Sequence, residues 1–355
     1  MHSSPLPDRV DGWFAVALAT DVPVGAIHPC RLQGEDLVVI RTASGALAAY
    51  EAHCPHLGAS FAAQGKVVGE TLQCGAHGLC FSVDGAGPRR MRARSLPAQE
   101  WLGVVMVWRH RENVEPWPLP VVRTEGWGAP THDRFRLRGH PQEVIENGVD
   151  TAHFSWIHGF AAGERTSALT REGHHLHLSS RFDAPAKVAG QSKRQVTIAF
   201  EFDAYGLGIA VIASDSEAIG LRSVTIVLPT PLGDGDLAIR LVTLVADPGA
   251  IAKSVPGLGV LIPHIVGAPL VRELFRRAAV FDFQKDIVYW GSKRYLPKPA
   301  LTAEDGPIAA YRRWARQFYG EQGAEGTGEG ATAGALTADG AGALEDVGEG
   351  LAVGA

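Results

Sequence analysis

The chain has 355 residues, with 33 Lys and Arg against 38 Asp and Glu and a formal net charge of −5. That length leaves room for two domains of roughly 100–200 residues, and the acidic balance argues against nucleic acid as a main partner. No run of about eighteen apolar residues occurs, so no bilayer-spanning helix is expected. From about Gly12 to Arg109 the chain reads as short strands. Residues 13–18, 36–40 and 104–108 are apolar, rich in branched or aromatic side chains, and bounded by Gly, Pro or Asp. The pattern suits a small antiparallel sandwich or barrel. The first residues, Met1-His2-Ser3-Ser4-Pro5, lack the basic and apolar regions of a secretory signal, and the four cysteines suit a reducing compartment. The cytoplasm is the expected location.

Within this first region stand Cys54-Pro55-His56 and Cys74-Gly75-Ala76-His77. Each group pairs a soft thiolate with an imidazole. Two histidines on one iron of a two-iron cluster define the Rieske centre. A structural zinc site of the Cys2His2 type is the competing reading, but zinc fingers place both cysteines in one half and both histidines in the other. Gly58, Gly75 and Gly78 would let backbone amides approach the inorganic sulfides. Cys30 and Cys80 are left over and are expected to be small buried hydrophobes.

The connector Val114-Glu115-Pro116-Trp117-Pro118-Leu119-Pro120 marks the expected exit from this domain. Beyond it, Glu146 to His158 reads as helical, with Asn147, Asp150 and His153 spaced i, i+3 on one face. His158 falls about 140° further round an ideal helix than His153, so the helix must end or bulge near Phe154 to Trp156. Two imidazoles with one carboxylate form the facial triad of mononuclear non-haem iron; a merely structural pair of histidines is the bland alternative.

Residues from about 167 to 247 return to strands, and an antiparallel sheet with one face toward a cavity is expected. Alternation puts His175 and His177 on one strand face, where exposed histidines are common, so metal binding is not expected there. The stretch Leu258 to Val271 is apolar but interrupted by Pro and Gly; it reads equally as a buried connection or as a lid over an apolar pocket. Arg272 to Arg294 reads as a helix carrying Asp282 and Asp286 on one face, and either could complete the triad. From 320 onward Gly, Ala, Glu and Thr dominate, with no Lys, Arg or aromatic residue, and a disordered acidic tail is expected.

Cys-Pro-His-Leu-Gly-Ala, Gly65-Lys66-Val67-Val68-Gly69 and Cys-x-x-His-Gly resemble the first domain of Rieske non-haem iron oxygenases. Ala59 and Ala76 stand where respiratory Rieske proteins carry a cysteine pair, and Leu79 stands where many oxygenases have Trp. The run Glu-Asn-x-x-Asp-x-x-His-x4-His resembles the family's mononuclear iron motif. Asp286 followed by Trp290 and Lys293 resembles its third-ligand segment, and the region around residues 295–319 resembles the steroid-acting branch. The resemblance implies a [2Fe–2S] cluster on Cys54, His56, Cys74 and His77. It implies Fe(2+) on His153, His158 and Asp286, with Asp282 as fallback, Asp150 as relay between the centres, and Asn147 near the metal.

The fold implied is α+β. A Rieske β-domain over 1–115 precedes a helix-grip, START-like antiparallel sheet domain with helices over 116–319, and the tail covers 320–355. The implied function is a monooxygenase that uses dioxygen and electrons from a ferredoxin or a flavin-dependent NAD(P)H reductase. It would oxidise a C–H bond of an apolar, sterol-like molecule by hydroxylation, stepwise methyl oxidation or desaturation. The expected assembly is a homotrimer. The alternative is a Rieske electron carrier fused to a non-catalytic lipid-binding module.

Overall fold

A computed structural model describes residues 5–123, 127–161, 163–185, 195–216, 221–246 and 264–320. The N-terminal region is built from three small antiparallel sheets. One holds β1 (Gly12–Leu18), with β10 (Val104–Arg109) between it and β9 (Ala98–Trp101). A second runs β2 (Ile27–Leu32), β3 (Glu35–Arg41), β4 (Leu47–Glu51) and β8 (Ser95–Leu96). The third is β5 (Lys66–Val68), β6 (Thr71–Gln73) and β7 (Cys80–Ser82). The fully apolar runs in β1 and β10 are buried along nearly their whole length, which is why they lack polar alternation.

Among the described residues, the C-terminal region holds one eight-stranded antiparallel sheet. Its path is β11 (Thr131–Arg138), β18 (Asp236–Val245), β17 (Leu221–Gly233), β16 (Ala210–Ser216), β15 (Gln195–Tyr205), β14 (His175–Pro185) and β12 (Glu164–Arg165). The short β13 (Thr170–Glu172) pairs with β14. Besides the short α1 (Phe61–Gln64) of the N-terminal region, the α-helices among the described residues are α2 (Pro141–Glu146), α3 (Thr151–Trp156), α4 (His264–Ser292) and α5 (Ile308–Ala315). Helix α4 lies against β11 and β18, with the Phe283 and Phe135 rings 5.3 Å apart and Arg276 paired to Asp133. The arrangement is the expected α+β one, mostly sheet.

Two expectations need correction. Residues 146–158 are not one helix: α2 ends at Glu146, α3 starts at Thr151, and Asp150 is its N-cap with φ −81° and ψ 95°. The shared helical face expected for Asn147, Asp150 and His153 therefore does not exist. Gly148 stands in the break and packs directly on the sheet, where a methyl group would lie 1.9 Å from the Phe202 ring. Helix α4 also begins earlier than expected, so residues 264–271 of the apolar stretch are helical in spite of Pro269. The rest of that stretch, and the tail from 321, lie outside the described residues.

The two regions share one apolar core, in which Phe14, Val16, Leu32 and Val105 join Val144, Ile145, Leu178 and Ile239. A bulge between Ala15 and Ala17 of β1 turns backbone carbonyls toward the large sheet. Thr230 Oγ1 donates to the Ala15 carbonyl at 2.7 Å, and the Arg240 guanidinium donates to the carbonyls of Ala15 and Val16. The proline-bearing connector is equally fixed. The Trp117 ring stacks on His174 at 4.4 Å and meets Trp108 edge-on at 4.4 Å, and its carbonyl accepts from Trp13 Nε1 at 2.7 Å.

Candidate metal centres

Two loops at one end of the N-terminal region are built alike. Cys54 N–H donates to the Ala59 carbonyl and Gly58 N–H to the Cys54 carbonyl; Cys74 with Leu79, and Gly78 with Cys74, repeat the pattern at 2.8 and 2.9 Å. Gly58 (φ 75°) and Gly78 (φ 68°) close the two turns in the left-handed region that side chains disfavour. Both cysteines are buried in one small core with Phe61, Leu72 and Phe81, whereas the two histidines are exposed, their rings edge to face at 4.7 Å. Burial raises the Cys54 thiol pKa, while the backbone amides of His56 and Leu57 oppose that by hydrogen-bonding its sulfur. Two thiols inside, two imidazoles outside and amides aimed at sulfur fit a two-iron cluster whose outer iron carries the histidines. Cys80 and Cys30 are half-buried rather than core residues; Cys80 Sγ lies 3.5 Å from the Gln73 amide.

In the second region one donor atom each from His153, His158 and Asp286 lies within 4.8 Å of the others. Their surroundings decide which atoms are free. His153 Nδ1–H donates to the Asp150 carbonyl, which leaves Nε2 as the available donor. His158 presents Nε2 at 3.3 Å from Asp286 Oδ1. On its other side, Nδ1 sits 2.9 Å from Asp282 Oδ2, off line for a hydrogen bond and so an ion-pair contact. Burial lowers the His153 pKa to about 4, with Asp286 opposing. Burial also works against charge on His158, but the carboxylates of Asp282 and Asp286 outweigh it and raise the pKa to about 9. Two imidazole nitrogens and a carboxylate oxygen within 4.8 Å of one another fit a divalent cation, and the donor types suit Fe(2+).

Asp150 caps α3 by accepting from the His153 amide at 3.2 Å, and burial raises its pKa to about 6. Its link to the His153 ring is through the backbone carbonyl, not through the carboxylate. Asn147 donates to Asp286 Oδ1 at 3.2 Å and accepts from Trp290 Nε1 at 3.2 Å. Behind it, Arg312 pairs with Glu146 at 2.6 and 2.9 Å, and Lys293 lies 3.6 Å from the same carboxylate, tying α5 and the end of α4 to α2.

The donors open onto a cavity walled by Phe154, Phe160, Phe182, Phe200, Phe202 and Phe283. Sequence reading missed these rings, although Phe200 and Phe202 stand two apart on a strand and so share a face. The cavity measures about 180 Å³, below the ~300–1,000 Å³ usual for ligand sites, so a bulky ligand must displace side chains. A larger hollow of about 880 Å³ lies on the other sheet face, lined by Arg181, Glu201, Asp203 and Arg222, and contains none of the donors. His175 and His177 share a strand face as expected, each within 3.0 Å of Asp203 Oδ1.

The Rieske [2Fe-2S] domain family matches residues 12–100, and the 3-Ketosteroid 9alpha-hydroxylase C-terminal domain family matches residues 107–319. The chain belongs to the Rieske non-haem iron oxygenases, in the branch with that C-terminal domain. The cholesterol 7-desaturase of Bombyx mori is 29% identical over 90% of this chain and 72% of its own length. The oxygenase component of 3-ketosteroid-9-alpha-monooxygenase from Rhodococcus rhodochrous is 29% identical over 87% of this chain and 83% of its own. Among solved structures, Pseudomonas putida CBB5 NdmA has a TM-score of 0.64 at 15% identity, covering 86% of this chain and 89% of its own. Dicamba monooxygenase bound to dicamba has a TM-score of 0.60 at 15% identity, covering 89% and 98%. This oxygenase is an oxidoreductase whose cofactors are a [2Fe–2S] cluster and Fe(2+), and it depends on dioxygen and a separate electron-transfer partner. Among the described residues, no helix is long and apolar enough to cross a membrane.

Proposed function

We propose that this oxygenase oxidises a C–H bond of a rigid, sterol-like molecule, by hydroxylation, stepwise methyl oxidation or desaturation. The observation that carries the reading is the phenylalanine-walled cavity at whose floor His153, His158 and Asp286 converge. Such a wall holds an apolar ring system by contact area, and Ser180, Ser214 and Thr225 add hydroxyls to the lining. The similarity to a cholesterol 7-desaturase and a ketosteroid monooxygenase supports the substrate class.

In this reading Cys54, His56, Cys74 and His77 hold the cluster, and His153, His158 and Asp286 hold the iron. When bound, the cluster supplies single electrons and the ferrous ion activates dioxygen. The chain's own contribution is geometric. The Asp150 carbonyl fixes the His153 tautomer, Asp282 steadies His158, Asn147 holds Asp286, and the rings exclude water. Residues 1–115 form the cluster domain and 116–319 the catalytic domain, supported by the separate matches at 12–100 and 107–319. The active assembly is a homotrimer in which Asp150 of one subunit faces the cluster histidines of the next. The exposed His56 and His77 support this, since they leave the cluster open toward a neighbour.

The electron-carrier alternative has no use for a buried two-histidine, one-carboxylate set, and that set weighs against it. The test is anaerobic titration of the reduced, iron-loaded protein with a panel of sterols and ketosteroids, followed by product analysis on oxygenation. Saturable binding and an oxidised steroid are expected. Binding of small aromatic acids in preference to every steroid would overturn the substrate class.

A further inference from the structure

Asn147 and Trp290 are 8% and 4% exposed and line the same cavity as the three donors. Trp290 Nε1 donates to Asn147 Oδ1, and Asn147 Nδ2 donates to Asp286 Oδ1, both at 3.2 Å. An indole N–H can only donate, and an ionised carboxylate can only accept. The series therefore admits one orientation of the amide. Flipping it would set the amide oxygen against the carboxylate and the amide N–H against the indole N–H, losing both bonds in a buried setting. Trp290 lies one turn beyond Asp286 on α4, while Asn147 comes from the turn between α2 and α3. The two bonds thus join the segments that carry the donors, with Asp286 Oδ1 held 3.3 Å from His158 Nε2.

We propose that Trp290 is a positioning residue for the iron-binding carboxylate. Its N–H sets the Asn147 amide, and the amide sets the rotation of Asp286. The proposal rests on reading His153, His158 and Asp286 as the iron set. Partners of metal ligands typically change metal affinity 10–100-fold when removed. Trp290 acts through one intervening amide, so a change of about tenfold, the lower end, is expected.

The test exchanges Trp290 for benzothienylalanine, which keeps the bicyclic shape and replaces only the N–H by sulfur. Trp290→Phe is made as a second variant. Two quantities are read in cluster-loaded protein: Fe(2+) affinity by competition with a chelator, and the visible absorption of the site loaded with Co(2+). The expected result is about tenfold weaker Fe(2+) binding and shifted Co(2+) bands, with unchanged cluster absorption. A folded benzothienyl variant with unaltered Fe(2+) affinity and Co(2+) bands overturns the proposal, whatever Trp290→Phe does. Asp286→Ala separates the two levels. If Asp286→Ala keeps its iron, the ligand reading fails; if it loses iron and the benzothienyl variant does not, only the positioning role fails.

Discussion

Nε2 of His158 lies 3.3 Å from Oδ1 of Asp286. Two donors about 2.1 Å from one ion and at a right angle to each other would stand roughly 3 Å apart, so the pair is already near the spacing of neighbouring ligands. Asp282, one turn earlier on the same helix, reaches the opposite edge of the same imidazole. Asp286→Ala is expected to lose the mononuclear iron and turnover while retaining the cluster spectrum. Asp282→Asn is expected to keep iron with about tenfold lower affinity, as for other partners of metal-bound histidine. Iron content per chain and chelator competition check both. Iron lost from the Asp282 variant and kept by the Asp286 variant would reverse the assignment.

Gly148 has no room for a side chain above Phe202. Gly148→Ala is expected to cost about 1–3 kcal/mol of stability by overpacking and to displace the 147–150 turn, weakening iron binding as well. Phe202→Leu in the same chain should recover part of both losses. A double-mutant cycle on denaturant unfolding measures the coupling, and strict additivity would show that the two groups do not meet.

His140 is 3% exposed and caps α2. Its Nδ1 accepts from the Gln142 amide at 3.1 Å, and Nε2–H donates to the Pro7 carbonyl at 3.0 Å, a pattern only the neutral ring can make. Burial lowers its pKa to about 4, the Pro7 carbonyl opposing. The unfolded chain therefore takes up a proton near pH 6.5 that the native chain refuses until about 4. This stability is complete above the unfolded value and is lost as pH falls toward the folded one, about 3 kcal/mol in all. His140→Gln should show a flatter stability profile across that window, measured by denaturant unfolding at successive pH values. Parallel profiles for the two proteins would refute the assignment.

The proposed trimer predicts complementation between subunits. Cys74→Ser and His153→Ala are each expected to be inactive alone. Mixed under conditions that exchange subunits, they should regain part of the activity, because some interfaces pair an intact cluster with an intact iron site. No recovery despite demonstrated exchange, or a competent monomer on sizing, would defeat the arrangement.

The cluster loops were legible in the amino-acid sequence because their chemistry is local. Two short motifs carry all four proposed donors, and each loop is held by bonds within its own few residues. His153 and His158 were legible for the same reason. So were β1, β3 and β10, since their burial imposes a visible pattern. The turn at 147–150 was not, because the ring packed on it, Phe202 of β15, is one that sequence periodicity in the iron segment cannot register. Asp282 and Asp286 are equivalent by helical spacing, and only the placement of α4 against α3 assigns them opposite edges of one imidazole. The amide of Asn147 is oriented by an indole far along the chain, and Arg240 joins the two regions through carbonyls exposed by a bulge. Short-range motifs thus named the metals, while long-range packing decided which atoms face them, because a hydrogen bond or a steric limit depends on distance in space and leaves no periodic trace in the chain.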